Sequence, residues 1–242
     1  MSDLKTAAII AAAGLGKRFG GSLRKQFQNL FGKPVLSYSI ESFERSPLIE
    51  EIILVVPEDS ISFCDKEIVV KFGFKKVTKI IPGGEERRDS VERGFNSLSD
   101  EIDIVLIHDA VRPFLTIGMI EEVIEEASKA GGAIIAVPVK DTVKKSSSGN
   151  YIERTVLRES LWLAQTPQAF RYDVLKRAYE GTRENDFALT DESSLVERLG
   201  MQVKLVEGSE FNIKITTEED LLLGELILKE EIYKDVSNRH RF

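Results

Sequence analysis

The chain has 242 residues, 42% hydrophobic and 30% charged, with a formal net charge of −7. That length can bury a sizeable core; the acidic balance argues against nucleic acid as a partner, and no run approaches the roughly 20 apolar residues that cross a bilayer, so no membrane partner is expected. One cysteine (Cys64) and two histidines (His108, His240) exclude an internal disulfide and a thiolate or imidazole metal site, so any metal must be a hard cation held mainly by oxygen, and the expected location is cytoplasmic.

The first predicted strand, residues 7–12, is apolar and breaks into Ala12, Ala13, Gly14, Leu15 and Gly16 before turning basic at Lys17 and Arg18. Small residues there let backbone N–H groups approach an anion closely, and Arg18 and Lys25 lie within reach of a polyphosphate held by such a loop. Residues 1–34 carry six cations against one acid, a local basic island in an acidic chain. Two familiar phosphate motifs fail: Phe19 stands where a dinucleotide fingerprint needs glycine, and neither Gly16-Lys17 nor Gly32-Lys33 has the surroundings of a Walker loop. A glycine-rich turn with solvated basic residues remains the plain alternative.

Further strands are expected at 51–57, 76–81, 102–107, 133–137 and 202–206, and helices at 33–44, 87–98, 117–130, 172–179, 191–199 and 217–229. Apolar runs such as 52–56 suit a sheet covered on both faces, so the fold class is α/β, a doubly wound and mostly parallel sheet. Residues 140–158 break the alternation: two polar alternating runs flank Ser148, Gly149 and Asn150, which reads as a β-hairpin projecting from the domain. An isolated hairpin is marginal in water, so it is expected to pack on a second subunit, a solvated loop being the alternative.

Ligands of such sheets bind beyond the carboxyl ends of the strands. Four exits stand out. Besides the opening loop, they are Gly83-Gly84 through Ser90, where Ser90 could hydrogen-bond a base edge, and His108-Asp109-Ala110-Val111-Arg112-Pro113, where Asp109 could bind Mg²⁺ on phosphate oxygens and Arg112 a second phosphate. The last holds Lys214 between Ile213 and Ile215, a half-buried charge that would want an anion, followed by a cap pattern at Thr216 and Thr217 that makes Glu218 and Asp220 structural. A capping Asp–Arg pair at 109 and 112, and a solvated Lys214, are the plain alternatives. No nucleophile motif or free histidine base is evident, with His108 more suited to packing than to catalysis. Cations, glycines and one or two acids fit nucleotidyl transfer, in which an ionised substrate phosphate attacks phosphorus without a general base.

In order and spacing these strings, with Lys25-Gln26-Phe27, Leu161-Trp162, Gln165 to Gln168, Thr190-Asp191-Glu192 and Asn212-Ile213-Lys214, resemble the 2-C-methyl-D-erythritol 4-phosphate cytidylyltransferase family essentially end to end. The resemblance implies a single cytidylyltransferase domain over 1–242 with an arm at about 139–160. It implies attack of the substrate phosphate on the α-phosphorus of CTP, with Mg²⁺ on the triphosphate. Arg18 and Lys25, with Arg158 and Lys214, would be the catalytic cations. Ala12, Ala13, Gly14, Gly16, Gly84, Ser90, Asp109 and Ala110 would bind the nucleotide, with Asp109 beside the metal. Asp109, Arg112, Thr142, Arg158, Thr190 and Lys214 would bind the polyol phosphate. The hairpin would be a homodimerisation arm whose Thr142 and Arg158 reach the partner's site. The rival is a ribitol-5-phosphate cytidylyltransferase, which shares fold and nucleotide; Arg158 to Trp162 and Leu189 to Ser194 look more like the methylerythritol branch.

Overall fold

The computed structural model of the chain describes residues 4–14, 24–181 and 191–232. Its strands in chain order are β1 (Thr6–Ala11), β2 (Asn29–Leu30), β3 (Lys33–Pro34), β4 (Glu51–Val56), β5 (Val77–Pro82), β6 (Ile104–Asp109), β7 (Gly132–Pro138), β8 (Val143–Ser146), β9 (Ile152–Val156), β10 (Trp162–Arg171) and β11 (Lys204–Glu207). The helices are α1 (Val35–Arg45), α2 (Ile61–Phe63, continuing as a wider π-helical turn over Cys64–Val70), α3 (Arg87–Asn96), α4 (Ile117–Ala130), α5 (Tyr172–Glu180), α6 (Glu192–Arg198) and α7 (Glu218–Lys229).

Seven strands form one sheet in the order β11-β7-β10-β6-β1-β4-β5. All neighbours are parallel except β10, which runs antiparallel to both β6 and β7. Alternation decides the layers. In β1, Ala8 and Ile10 point into a core with Leu36, Ile40 and Phe43 of α1 and Ile120 and Val123 of α4. Ala7 and Ile9 point the other way, into a core with Val91 and Phe95 of α3, Val174 and Leu175 of α5 and Leu195 of α6. Both faces are therefore covered, which is why the inner strands are apolar throughout.

The expected doubly wound, mostly parallel sheet is present, with two differences. The stretch 162–171 carries Gln165, Thr166, Pro167 and Gln168 and was assigned no element from the sequence; it forms β10, between β6 and β7. The ladder to β7 shifts register between Ala164 and Gln168, and that irregularity accommodates the proline. Residues 33–34 were expected in a helix; they pair as β3 with β2, and α1 starts at Val35. The hairpin appears as β8 and β9, a separate two-stranded ladder closed by Gly149 at φ 81°. Its neighbourhood exposes Tyr151, Ile152, Leu157 and Leu163. Among the described residues no helix is long and apolar enough to cross a membrane.

Beyond the carboxyl ends of β1 and β6 a smaller cluster of Leu30, Val35, Val111, Phe114, Ile215 and Ile227 seats α7 against the 29–34 turn. Helix α7 starts as the sequence suggested. Thr217 accepts from the Asp220 backbone N–H while the Asp220 carboxylate accepts from the backbone N–H of Thr217 and Thr216. Phe170, fully buried where β10 meets α5, is a direct test of the unexpected strand. Phe170→Ala is expected to lower the unfolding free energy by about 3–5 kcal/mol in urea titrations; a loss below about 1 kcal/mol would show that β10 is not part of the core.

Candidate active site

The sequential strands β1, β4 and β5 lie in spatial order on one side, while β6 returns to the other side of β1, so the strand order reverses at the boundary between the parallel β1 and β6. A cavity of about 420 Å³ opens at that switch point. Its walls come from the exits of β1, β4, β5 and β6, with Lys214 contributed by an irregular segment and not by a strand exit as expected; backbone bonds knit the exits: Ala12 N–H donates to Val55 O at 2.7 Å, Gly83 N–H to Val56 O at 2.8 Å and Ala110 N–H to Ala11 O at 3.2 Å. Gly83 is required there. A Cβ on it would lie 2.2 Å from Ala13 Cβ and 2.8 Å from Ser90 Oγ, so only glycine lets the β5 exit close against the β1 exit.

Charge in the pocket is organised around Asp109, the last residue of β6 and 7% exposed. Arg87 Nε donates to its Oδ1 at 3.0 Å, Lys214 Nζ lies 2.7 Å from its Oδ2, and Arg112 Nε stands 3.8 Å away. Burial works to raise the Asp109 pKa, but the charges of Arg87, Lys214 and Arg112 overcome it and hold the carboxyl well below its usual range. Arg87 is held in turn by Glu192, 1% exposed at the start of α6, whose two oxygens accept from Arg87 Nη1 at 2.9 and 2.8 Å. Burial pushes the Glu192 carboxyl up, with Arg87 opposing. For Arg87, burial acts to lower the pKa, and Glu192 and Asp109 outweigh it, so the guanidinium stays charged. The chain Glu192–Arg87–Asp109–Lys214 thus alternates in sign across four separate parts of the sequence.

A second, neutral chain fixes the backbone under Asp109. The Asp109 N–H donates to Thr166 Oγ1 at 3.0 Å, and that oxygen lies 3.0 Å from His108 Nδ1. His108 Nε2 is 3.1 Å from the carbonyl oxygen of Arg112, which can only accept. The proton therefore sits on Nε2, and the Thr166 hydroxyl donates to Nδ1. Burial lowers the His108 pKa to about 4, consistent with this neutral ring and with a packing rather than a basic role. Asn212 completes the floor, its side-chain amide donating to Gln165 Oε1 and Thr166 O at 3.0 Å each, while its backbone carbonyl accepts from Arg112 Nη1 at 2.6 Å.

The family model for 2-C-methyl-D-erythritol 4-phosphate cytidylyltransferase matches residues 6–230. The chain belongs to that family. A relative of that name from Geobacter metallireducens is 48% identical over 228 residues, covering 93% of this chain and 98% of its own. One from Geotalea uraniireducens is 45% identical, covering 93% of this chain and 97% of its own. The crystal structure of 4-diphosphocytidyl-2C-methyl-D-erythritol synthase from Anaerococcus prevotii superposes with TM-score 0.82 at 32% identity, covering 93% of this chain and 96% of its own. That of the Thermus thermophilus cytidylyltransferase gives 0.76 at 30% identity, covering 93% and 100%.

Of the residues expected at a cytidylyltransferase site, Ala12, Ala13, Gly14, Lys25, Gly84, Ser90, Asp109, Ala110 and Lys214 line this one cavity. Ser90 has less to offer a base than its position suggested: its hydroxyl donates to Glu86 O at 2.9 Å and accepts from Gly84 N–H at 3.0 Å, which leaves one lone pair. Arg112 is not among the described lining residues; it lies behind Asp109 and Asn212. Thr142 and Arg158 sit at the hairpin, outside the cavity of the single chain, with Arg158 donating to the Lys140 carbonyl. Gly16, Arg18 and Thr190 lie outside the described residues. Sequence reasoning gave no role to Arg87, and read Glu192 only within a longer string; a charge in the run Glu85-Glu86-Arg87-Arg88-Asp89 carries no mark that it folds inward. Among the described residues no group of three or more His, Cys, Asp or Glu is placed to hold a metal ion. Among the described lining residues, Asp109 is the buried carboxylate on the cavity wall.

The neutral His108 makes a signed prediction. Its folded pKa of about 4 lies below the 6.5 of an unperturbed imidazole, so the unfolded chain binds the proton first as pH falls. Its contribution is present above pH 6.5 and is lost as pH falls toward 4, a change of about 3 kcal/mol. Urea titrations between pH 7 and 4.5 should show a clearly shallower stability loss in His108→Gln than in the native chain; parallel curves would contradict the neutral, buried ring.

Proposed function

We propose that the protein transfers CMP from CTP to the phosphate of 2-C-methyl-D-erythritol 4-phosphate, giving 4-diphosphocytidyl-2-C-methyl-D-erythritol and pyrophosphate. The observation that carries this reading is the make-up of the cavity. It joins a close-approach backbone at Ala12–Gly14 and Gly83–Gly84 to the cations Lys25, Arg87 and Lys214, while His108 beneath it is neutral and committed to hydrogen bonds. A phosphate oxygen of the polyol, already ionised, attacks the α-phosphorus of CTP; that P–O bond forms as the bond to the β-phosphate oxygen breaks, and pyrophosphate leaves. No proton need move through the protein. Alignment and charge neutralisation are then the whole of the chemistry required.

In this reading the pocket's backbone N–H groups hold the nucleotide, and Lys25, with Arg18, neutralises charge on the transition state and leaving group. Lys214 is tied to Asp109 and is positioned to exchange that carboxylate for a substrate phosphate, which a charge 37% exposed at the cavity wall can do. Mg²⁺ belongs to the same reading. Asp109 can give it one oxygen, its carboxylate being shared with Arg87 and Lys214, so phosphates and water must supply the rest. When bound, the ion offsets charge on the triphosphate oxygens.

A homodimer with shared sites completes the proposal. Its support is the β8–β9 ladder, which pairs with no other strand among the described residues and leaves Tyr151, Ile152 and Leu157 exposed nearby. Thr142 and Arg158 on that arm would then face the partner's polyol phosphate. A cytoplasmic location is part of the reading, in keeping with a free, buried Cys64.

Pyrophosphate release is expected to require CTP, Mg²⁺ and methylerythritol phosphate together; faster turnover with ribitol 5-phosphate would overturn the substrate assignment. Arg18→Ala and Arg158→Ala subunits, each expected to lose at least about 100-fold in kcat, should regain activity when mixed, because one site per mixed dimer is whole. Confirmed mixed dimers with no recovery would contradict shared sites.

A further inference from the structure

Lys25 enters the cavity from a short turn, Lys25–Phe27, that is tied to the rest of the fold on three sides. Gln26 is buried, and its Nε2 donates to the carbonyls of Ala12 at 2.6 Å and Gly14 at 3.2 Å. Phe27 packs edge-on against Phe63 of α2, with ring centroids 5.2 Å apart. On the third side Arg24 donates Nη1 and Nη2 to the two oxygens of Asp59 at 2.6 and 2.9 Å, and Nη1 also to Ser60 Oγ at 2.6 Å. The Ser60 hydroxyl donates to Asp59 Oδ1 at 2.9 Å, so the acceptor is itself oriented.

Arg24 is therefore turned away from the pocket although it precedes a lining residue. Its guanidinium binds the segment that follows β4, and its carbonyl accepts from Phe27 N–H at 2.9 Å, closing the turn that carries Lys25. A bidentate guanidinium–carboxylate pair fixes direction as well as distance, which a lone ammonium does not. Asp59 is ionised throughout any assay range, since hydrogen bonds from Arg24 and Ser60 pull its pKa down to about 2. Asp59 is also 69% exposed, so water and salt screen the pair and it adds little to global stability. Geometry is what the pair supplies.

We propose that Arg24 and Asp59 are positioning residues for the transfer reaction: their ion pair, steadied by Ser60, sets where Lys25 stands in the cavity. The proposal rests on the reading of Lys25 as a charge-stabilising cation given above. It differs from the role of Gln26, which ties the turn to the β1 exit, because the Arg24–Asp59 pair ties it to the β4 exit. Both pocket walls then determine one ammonium.

The test is a mutant cycle on the full chain. Arg24→Ala and Asp59→Asn are each expected to lower kcat/KM for CTP by about 10- to 100-fold, the scale of a displacement near 1 Å, while leaving the urea midpoint unchanged. In a Lys25→Ala background the same two substitutions should cost nothing further, a silence that a general structural defect would not produce. The reversed pair Arg24→Glu/Asp59→Arg should recover part of the loss seen in Arg24→Glu alone. Calorimetric binding of inorganic pyrophosphate, which needs no turnover, should weaken severalfold in Arg24→Ala and Asp59→Asn, and not in their Lys25→Ala counterparts. Native-level kcat/KM and pyrophosphate affinity in Asp59→Asn, or an undiminished Arg24→Ala effect after Lys25→Ala, would overturn the proposal. A native chain that binds pyrophosphate in the expected pattern yet releases none from CTP and methylerythritol phosphate would instead fail the function reading and leave the positioning intact.

Discussion

A carboxylate taken out of water at the end of a central strand is costly unless cations meet it, and Asp109 is met by Arg87, Lys214 and Arg112. Each of these comes from a different stretch of chain, so satisfying one buried charge brings the start of α3, the turn after β6 and the 212–214 segment to one place. Glu192 extends the constraint to α6 by balancing Arg87. Removing Arg87 leaves Glu192 buried without its cation and strips Asp109 of one of three, which makes the arrangement difficult to deform. The pocket is therefore set in advance, as electrostatic stabilisation of a transferring phosphoryl group demands.

The neutral layer beneath serves the same end by different physics. Thr166 and Asn212 bond the backbone of β6, the side chains of β10 and the Arg112 region into one hydrogen-bonded floor. His108 takes part as an uncharged ring, packed against Phe43 with centroids 5.2 Å apart. That commits the described histidine to architecture. A substrate whose nucleophile is already an anion asks no base of such a site.

The sequence made the parallel half of the sheet legible, because 7–12, 51–57 and 102–107 are apolar runs ending in small or charged residues. It concealed β10. Gln165, Thr166, Pro167 and Gln168 drew no strand expectation since a central strand normally excludes proline and is apolar; here their amides and hydroxyl are buried because each serves another element, Gln165 holding Ser209 and Gln168 holding Asp191 and Ser193. The same logic hid Arg87 and Glu192. A charge that folds inward to meet another looks, in one dimension, like any surface charge. Glycines were more informative, since a missing Cβ at Gly83 has a single steric reason that the structure supplies. Arg24 carried no mark of its own beside Lys25, as nothing local announces a partner 35 positions later.

If a buried, alternating charge network holds the strand exits together, the unfolding free energy of Arg87→Met, alone and combined with Glu192→Gln, must report it. A loss of about 3–5 kcal/mol is expected for Arg87→Met, because two buried carboxylates lose their shared cation, with partial recovery when Glu192 is neutralised as well. Stability within about 0.5 kcal/mol of the native chain in Arg87→Met, with no recovery on adding Glu192→Gln, would contradict it.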